Sequence, residues 1–344
     1  MKRVVVAMSG GVDSSVAAFL LKEQGFEVIG LTMRLWADNR RAVADAKRVA
    51  AKLGIPHHVI DLRREFERDV IRYFCSEYIK GRTPNPCVVC NRMIKFGKLL
   101  EKAKMLGADL LATGHYARIG RDAASARFYI RQAADKSKDQ SYFLFDLGQR
   151  QLARLSFPLG ELEKSEVKRI AKSAGLKAVQ DKPESQDICF ITRKGYREFI
   201  SGRVKGIRPG RVVDTRGKYM GTHKGIAFYT IGQREGLGIA AGKPIYVVKL
   251  NPRRNEVVVG DAAEVKGREL TAKNIRWMYR AGLSRPVRAQ AKIRYNHWKS
   301  ACRITPLSSR RVKAVFDEPQ HAITPGQALV VYDGEKILGG GWIE

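Results

Sequence analysis

The chain has 344 residues, 44% hydrophobic and 28% charged, with a formal net charge of +30. That length allows two or three domains with substantial cores, and the composition is that of a globular chain. Mean hydropathy is -0.30, and no apolar run approaches the roughly 20 residues of a membrane-spanning helix. The apolar stretch 3–8 is too short for a signal-peptide core, which argues for a cytoplasmic protein without a membrane partner. Five cysteines, an odd and sparse set, do not make a disulfide framework.

The first half alternates between two periods. Residues 4–7 form an unbroken apolar run, as expected of a strand buried on both faces. Residues 13–24 read as a helix stopped by Gly25, 27–35 as a second strand, 42–53 as a helix stopped by Gly54, and 57–61 as a third strand. Helices are predicted over 64–80 and 94–106, a strand over 110–112, and helix without an intervening strand over 146–174. This β-α series predicts an α/β domain, a Rossmann-like parallel sheet with helices on both faces, over residues 1–202. Beyond it, short β-branched runs at 245–250, 257–259, 289–294, 312–316 and 328–332 alternate with turn residues. They predict one or two small antiparallel β-barrel domains, at 203–268 and 269–344.

Charge is unevenly spread. Residues 270–316 hold no Asp or Glu but twelve basic residues: Lys273, Arg276, Arg280, Arg285, Arg288, Lys292, Arg294, Lys299, Arg303, Arg310, Arg311 and Lys313. Trp277, Tyr279, Tyr295 and Trp298 are interleaved with them. Such a stretch suits phosphate contacts and base stacking, and points to nucleic acid.

Two segments carry candidate chemistry. Met8-Ser9-Gly10-Gly11-Val12-Asp13-Ser14-Ser15 follows the first strand and opens the first helix. Glycines let the backbone turn its N–H groups onto an anion, and the helix N-terminus adds a positive dipole end. It is neither a Walker loop nor a dinucleotide fingerprint. The second segment is Gly81-Arg82-Thr83-Pro84-Asn85-Pro86-Cys87-Val88-Val89-Cys90-Asn91, where two prolines and a glycine predict a loop. Its Cys-x-x-Cys suits metal, cluster or redox work, but a structural zinc site would need two more ligands. Cys75, Cys302 and, taken alone, Cys189 between Ile188 and Phe190 read as buried thiols.

The Ser9–Ser14 string at a strand–helix junction resembles the loop of the ATP pyrophosphatase superfamily, of the adenine nucleotide alpha hydrolase-like fold. Together with Thr83–Asn91, Ala112-Thr113-Gly114-His115-Tyr116, Lys138-Asp139-Gln140-Ser141-Tyr142 and Ser185-Gln186-Asp187-Ile188-Cys189-Phe190, it resembles the tRNA-specific 2-thiouridylases. Tyr229–Arg234 and the ending Leu338-Gly339-Gly340-Gly341 extend the likeness over nearly the whole chain.

That resemblance implies ATP-dependent thiolation of the wobble uridine of tRNA at C2, through an adenylated uridine. Ala7, Met8, Ser9, Gly10, Gly11, Val12, Asp13 and Ser14 would hold ATP phosphates with Mg²⁺, and Met33 and Gly114 the adenosine. Cys189 would accept sulfur as a persulfide from a cysteine desulfurase or sulfur relay protein. Cys90 would be the nucleophile that helps release it, through a transient Cys90–Cys189 disulfide. Asn85, Pro86 and Cys87 would meet the extruded base. His115, Lys138, Asp139, Gln140, Arg294, Tyr295 and Gln327 match tRNA-contacting positions. Cys87 departs from members that carry Asp there, so Cys87, Cys90 and Cys189 are also a candidate ligand set for a 4Fe–4S cluster. Residues 36–44 are shorter than in many members and lack their Cys-Cys-Ser segment. Another tRNA-modifying enzyme of the superfamily, or an RNA-binding protein with a relic loop, are the alternatives.

Overall fold

The structure, a computed structural model, describes residues 1–36, 40–176, 188–191, 195–239, 242–278 and 282–344. The chain divides into two compact units: Met1–Val70 with Cys87–Gln186 and Gly334–Leu338, and Ile71–Pro86 with Asp187–Asp333 and Gly339–Glu344.

The first unit is built on β1 (Arg3–Ala7), α1 (Val12–Glu23), β2 (Glu27–Arg34), α2 (Arg40–Leu53), β3 (His57–Asp61) and α3 (Arg63–Phe66). A π-helical turn, Glu67–Ile71, runs from α3 into α4 (Arg72–Ile79), which belongs to the second unit. After α5 (Pro86–Cys90), a second π-helical stretch Asn91–Lys98 and α6 (Leu99–Met105) come β4 (Leu110–Thr113), the hairpin β5 (Arg118–Arg121) and β6 (Phe128–Arg131), α7 (Gln149–Leu152), β7 (Leu155–Ser156) and α8 (Lys164–Ser173).

The sheet order is β3-β2-β1-β4-β7, all pairs parallel, with Ala7 level with both Leu31 and Thr113. Val4, Val5 and Val6 are fully buried because helices cover both faces of the central strand. Val16 and Ala17 of α1, Val49 and Ala50 of α2, and Val167 and Ala171 of α8 close one core. The strand order reverses direction at β1, so a crevice opens beyond the carboxyl ends of β1 and β4, where open α/β sheets bind ligands.

Three elements differ from the sequence-based expectation. β7 interrupts the predicted helical stretch 146–174, since two residues suffice to pair with Leu111 and Ala112. The hairpin β5–β6 is not predicted because its four-residue strands are short and interrupted by arginine, at both ends of β5 and at the last residue of β6. The predicted loop 81–91 becomes helix from Pro86 onward. Proline at the first helical position loses no intrahelical hydrogen bond and already has helical φ.

The second unit carries β8 (Gly210–Asp214), β9 (Tyr219–His223), β10 (Tyr246–Asn251) and β11 (Glu256–Gly260) in the order β10-β11-β8-β9. Its β11–β8 pair is parallel, against the antiparallel expectation for 203–268, because β8 and β11 are neighbours joined through other strands rather than by a hairpin; the other two pairs are antiparallel. Val212, Val247, Val257 and Val259 make its core. Next come β12 (Lys266–Trp277), β13 (Val287–Lys292), β14 (Ser300–Ser308), β15 (Arg311–His321), β16 (Ala328–Asp333) and β17 (Lys336–Ile343). They form a closed barrel whose seam is the antiparallel β12–β17 pairing, with Arg276 opposite Gly340 and Trp277 opposite Gly339. A Cβ on Gly339 would lie 2.4 Å from the Arg276 carbonyl oxygen, and one on Gly341 2.6 Å from that of Lys273. The glycine run that closes the sequence therefore lets the barrel shut.

Candidate active site

The crevice beyond β1 and β4 is lined by glycine for steric reasons. Gly10 has φ +72°, and a Cβ there would sit 2.4 Å from the Ala42 carbonyl oxygen. Gly114, directly after β4, presses on the first turn of α1: its Cβ would lie 2.7 Å from the Asp13 carbonyl carbon and 2.8 Å from the Ser14 nitrogen. Hydroxyls hold the turn between them. Ser9 N donates to Ser14 Oγ at 3.1 Å, and Ser15 Oγ donates to the Gly11 carbonyl at 2.8 Å. On the β2 side, Thr32 Oγ1 donates to the Met8 carbonyl at 2.8 Å. Gly11 is the N-cap of α1, and no side chain caps that end. A glycine turn leading into such a helix end leaves backbone N–H groups that suit an anion. Met33, half-buried, lies on β2 one residue beyond Thr32.

Asp13, in the first turn of α1, holds two donors on one oxygen. Tyr116 OH donates to Oδ1 at 2.8 Å and Lys164 Nζ at 2.6 Å, with the ammonium 5.5 Å from the centre of the Tyr116 ring. The Lys164 side chain is 9% exposed and that of Asp13 33%. Lys164 opens α8, where the helix dipole disfavours a cation. Its backbone N–H is fixed by Asp135 Oδ2 at 3.0 Å, and Asp135 is in turn fixed by Ser137. Removing one partner of a fully buried ion pair costs roughly 3–5 kcal/mol, and less here because Asp13 keeps some water contact. Sequence reasoning missed Lys164, which stands 151 residues from Asp13. Its only local signal was a lysine in the first turn of a helix.

The other predicted residues of this unit are largely internal. His115 is buried, its ring 5.6 Å from Phe96 and 5.7 Å from Phe157, with Nδ1 2.7 Å from Thr113 Oγ1. Burial, helped by Lys95, pushes its pKa well down, so the imidazole is neutral. Asp139 is buried, and its carboxylate accepts from Ala133 N and Ser141 N on one oxygen and from Gln132 Nε2 and Ser141 Oγ on the other. Gln140 brackets Tyr116, accepting its N–H at 3.1 Å on Oε1 and donating N–H to its carbonyl at 2.8 Å. Lys138 N donates to the Asp135 carbonyl at 3.3 Å. The 138–140 segment thus supports Tyr116 and Lys164.

Cys87 and Cys90 lie on the single helical segment α5 and project from one side of it, three residues apart. Cys87 is half-buried, and burial pushes its thiol pKa up while Lys95 pulls it down; Cys90 is buried. Both belong to the first unit and Cys189 to the second. There Cys189 is exposed, against the buried reading its apolar neighbours suggested. Phe190 takes the anchoring role instead, packing 5.3 Å from Phe74 and 5.2 Å from Phe199. Ser185, Gln186 and Asp187 lie outside the described residues. Among the described residues no group of three or more His, Cys, Asp or Glu side chains is gathered as a metal site requires. Cys75 and Cys302 are buried as expected, and burial, with Asp317, holds the Cys302 thiol up at about 12.

In the second unit Gln327 turns inward. Its Nε2 donates to the Thr83 and Pro84 carbonyls at 3.2 and 3.1 Å, bracing the chain just before Asn85 and Pro86. Asn85 is buried, and its backbone hydrogen-bonds Tyr73. Arg294 donates to the His321 carbonyl, and Lys292 Nζ lies 6.0 Å from the Tyr295 ring centre. Of the twelve basic residues in 270–316, Lys273, Arg288, Arg311 and Lys313 pair with Glu344, Asp317, Glu344 and Glu269. Acids outside the acid-free segment thus temper its charge. Arg285, Arg303 and Arg310 stay exposed, and Trp298 is 88% exposed. Tyr279 and Arg280 lie outside the described residues, as do positions 37–39 of the shortened 36–44 segment. Among the described residues no helix is long and apolar enough to cross a membrane.

Comparison with known proteins agrees with this layout. Three family models match in succession: a tRNA methyl transferase HUP domain over residues 2–193, a tRNA methyl transferase PRC-barrel domain over 197–261, and an aminomethyltransferase β-barrel domain over 267–343. The chain is 49% identical to tRNA-specific 2-thiouridylase MnmA 2 of Clostridium tetani, covering 100% of this chain and 99% of that one. It is 47% identical to tRNA-specific 2-thiouridylase MnmA of Pelotomaculum thermopropionicum, covering 99% and 97%. Among solved structures, the U34-tRNA thiolase NcsA of Methanococcus maripaludis with its [4Fe-4S] cluster is 18% identical over 58% of this chain and 64% of that one, at a TM-score of 0.37. Similarity that slight carries neither its cluster nor its chemistry across. The end-to-end match to the curated relatives, over a chain whose glycine loop and barrel seam are built as described, is of another order: the chain belongs to the tRNA-specific 2-thiouridylase family.

Proposed function

We propose that this chain converts the wobble uridine of tRNA to 2-thiouridine, using ATP, in the cytoplasm. The observation that carries the reading is the end-to-end likeness to relatives named as 2-thiouridylases. The anion-binding crevice of the first unit supports it.

Uridine C2 carries an oxygen that leaves poorly. In the proposed reaction that oxygen attacks the α-phosphorus of ATP, pyrophosphate departs, and AMP becomes the leaving group. The backbone of residues 7–14 binds the phosphates, and Met33 and Gly114 flank the adenosine. Asp13, a partly exposed carboxylate at the start of α1, fits a Mg²⁺ ion, which would neutralise phosphate charge when bound.

Sulfur comes from a donor protein, a cysteine desulfurase or sulfur relay protein, and Cys189 is exposed as such an acceptor must be. Cys90 attacks the inner sulfur of the Cys189 persulfide. Hydrosulfide is released to displace AMP at C2, and a Cys90–Cys189 disulfide remains for a thiol reductant to open. Asn85, Pro86 and Cys87 meet the extruded base, with Gln327 bracing the approach to them. The tRNA body lies along the basic barrel at Arg294, Tyr295 and Trp298, and the buried His115 and Asp139 act by shaping the site. The domain boundaries that fit this division fall at about residues 202 and 268.

The test is thiolation of unmodified tRNA by aerobically handled, iron-free protein supplied with ATP and a desulfurase. The expected result is 2-thiouridine at the wobble position. Activity that requires iron and tracks acid-labile sulfide would replace the persulfide route with a cluster on Cys87, Cys90 and Cys189.

A further inference from the structure

Lys164 is a costly charge placement in the first unit. It is nearly buried, sits where a helix dipole opposes it, and is held by its own backbone N–H on Asp135. Its ammonium reaches the phosphate loop itself, meeting Asp13 at 2.6 Å. Tyr116 donates to the same oxygen and offers the ammonium its ring face. The α8 core face is formed by Val167 and Ala171, and Glu163 and Glu166 cap the helix.

We propose that Lys164 is a pyrophosphate-binding residue, held on Asp13 until ATP arrives and then passed to the β- and γ-phosphates. The inference rests on the reading of this crevice as an ATP site. When the uridine oxygen bonds to the α-phosphorus, the bond from that phosphorus to the bridging oxygen breaks, and its electron pair leaves with pyrophosphate. The uridine N3 proton goes to solvent, and Lys164 stays protonated throughout. A fixed ammonium beside the departing oxygens stabilises the charge that develops there. Asp13, relieved of the ammonium, is then available to the metal ion that accompanies ATP.

Calorimetric titration of the full chain with inorganic pyrophosphate and, separately, with AMP tests this, since only the first carries the groups assigned to Lys164. Lys164→Met should weaken pyrophosphate binding about tenfold or more while AMP affinity stays within about twofold. Lys164→Arg should recover most of the pyrophosphate affinity. Equal affinity for pyrophosphate in wild type and Lys164→Met would overturn the proposal, as would parallel loss of AMP and pyrophosphate, the mark of a merely structural lysine. Should Lys164→Met fail to fold, Lys164→Gln, which keeps a donor for Asp13 without the charge, carries the same comparison. Failure of the wild type to bind ATP or pyrophosphate at all would instead sink the reading of the crevice, and this inference with it.

Discussion

The two units use positive charge in opposite ways. Around the glycine loop, one lysine is buried and fixed on one carboxylate, with a tyrosine sharing the same oxygen. On the barrel, cations are numerous and exposed, and several are already paired with Glu269, Asp317 and Glu344. Charge in a water-poor crevice interacts strongly and locally, whereas surface charge is screened and acts through its sum. The first arrangement suits chemistry at one phosphorus atom. The second suits holding a long polyanion whose bound counterions are released.

The contrast predicts steep effects in the crevice and shallow ones on the barrel. Asp13→Ala should lower ATP-dependent pyrophosphate release by roughly 10²–10³-fold, with tRNA affinity measured by filter binding nearly unchanged; a comparable loss of tRNA affinity would merge the two regions. Cys189→Ser should leave pyrophosphate release intact and stop 2-thiouridine formation, read by mass spectrometry of digested tRNA. Retained thiolation would remove the exposed thiol from the sulfur route. Trp298→Ala should weaken tRNA binding by about 1 kcal/mol, roughly fivefold, without altering its salt dependence, as lost stacking does. Arg303→Ala should weaken binding less and reduce the slope of log K against log salt by about one phosphate contact. An unchanged slope would take Arg303 out of the interface.

The smallest expected effect concerns pH. Glu335 bonds Lys136, Arg131 and Arg118, and chiefly the Lys136 ammonium holds its pKa down at about 2 against an ordinary 4.5. A depressed carboxyl pKa stabilises the folded state above 4.5, and that stability is lost as pH falls from there towards 2. Glu335→Gln should therefore flatten acid unfolding in that window and nowhere else. The group is partly exposed, so solvent screens the gain.

Where function sits in contiguous residues, the sequence was readable. The run from β1 through Gly10 and Gly11 into α1 is one local motif, and its backbone demands are visible in its glycines. Short β-branched runs and turn residues likewise announced the barrel. What stayed hidden was assembled from afar. Lys164 meets Asp13 through the packing of α8 on the sheet. Gln327, which the resemblance matches to a tRNA contact, braces Thr83 and Pro84, 244 and 243 residues away in the chain. The Cys87–Cys90 helix was misread locally, because a proline that would break a helix interior is at home in its first position. The acid-free stretch looked more cationic than it is, since counter-charges come from residues just beyond its ends, Glu269 and Asp317.

The most direct test of the account is to follow α-labelled ATP, pyrophosphate and 2-thiouridine together in one turnover of the wild-type chain with unmodified tRNA and a sulfur donor. The account predicts one AMP and one pyrophosphate for each 2-thiouridine formed. Cleavage to ADP and phosphate, or thiolation without ATP cleavage, would contradict it.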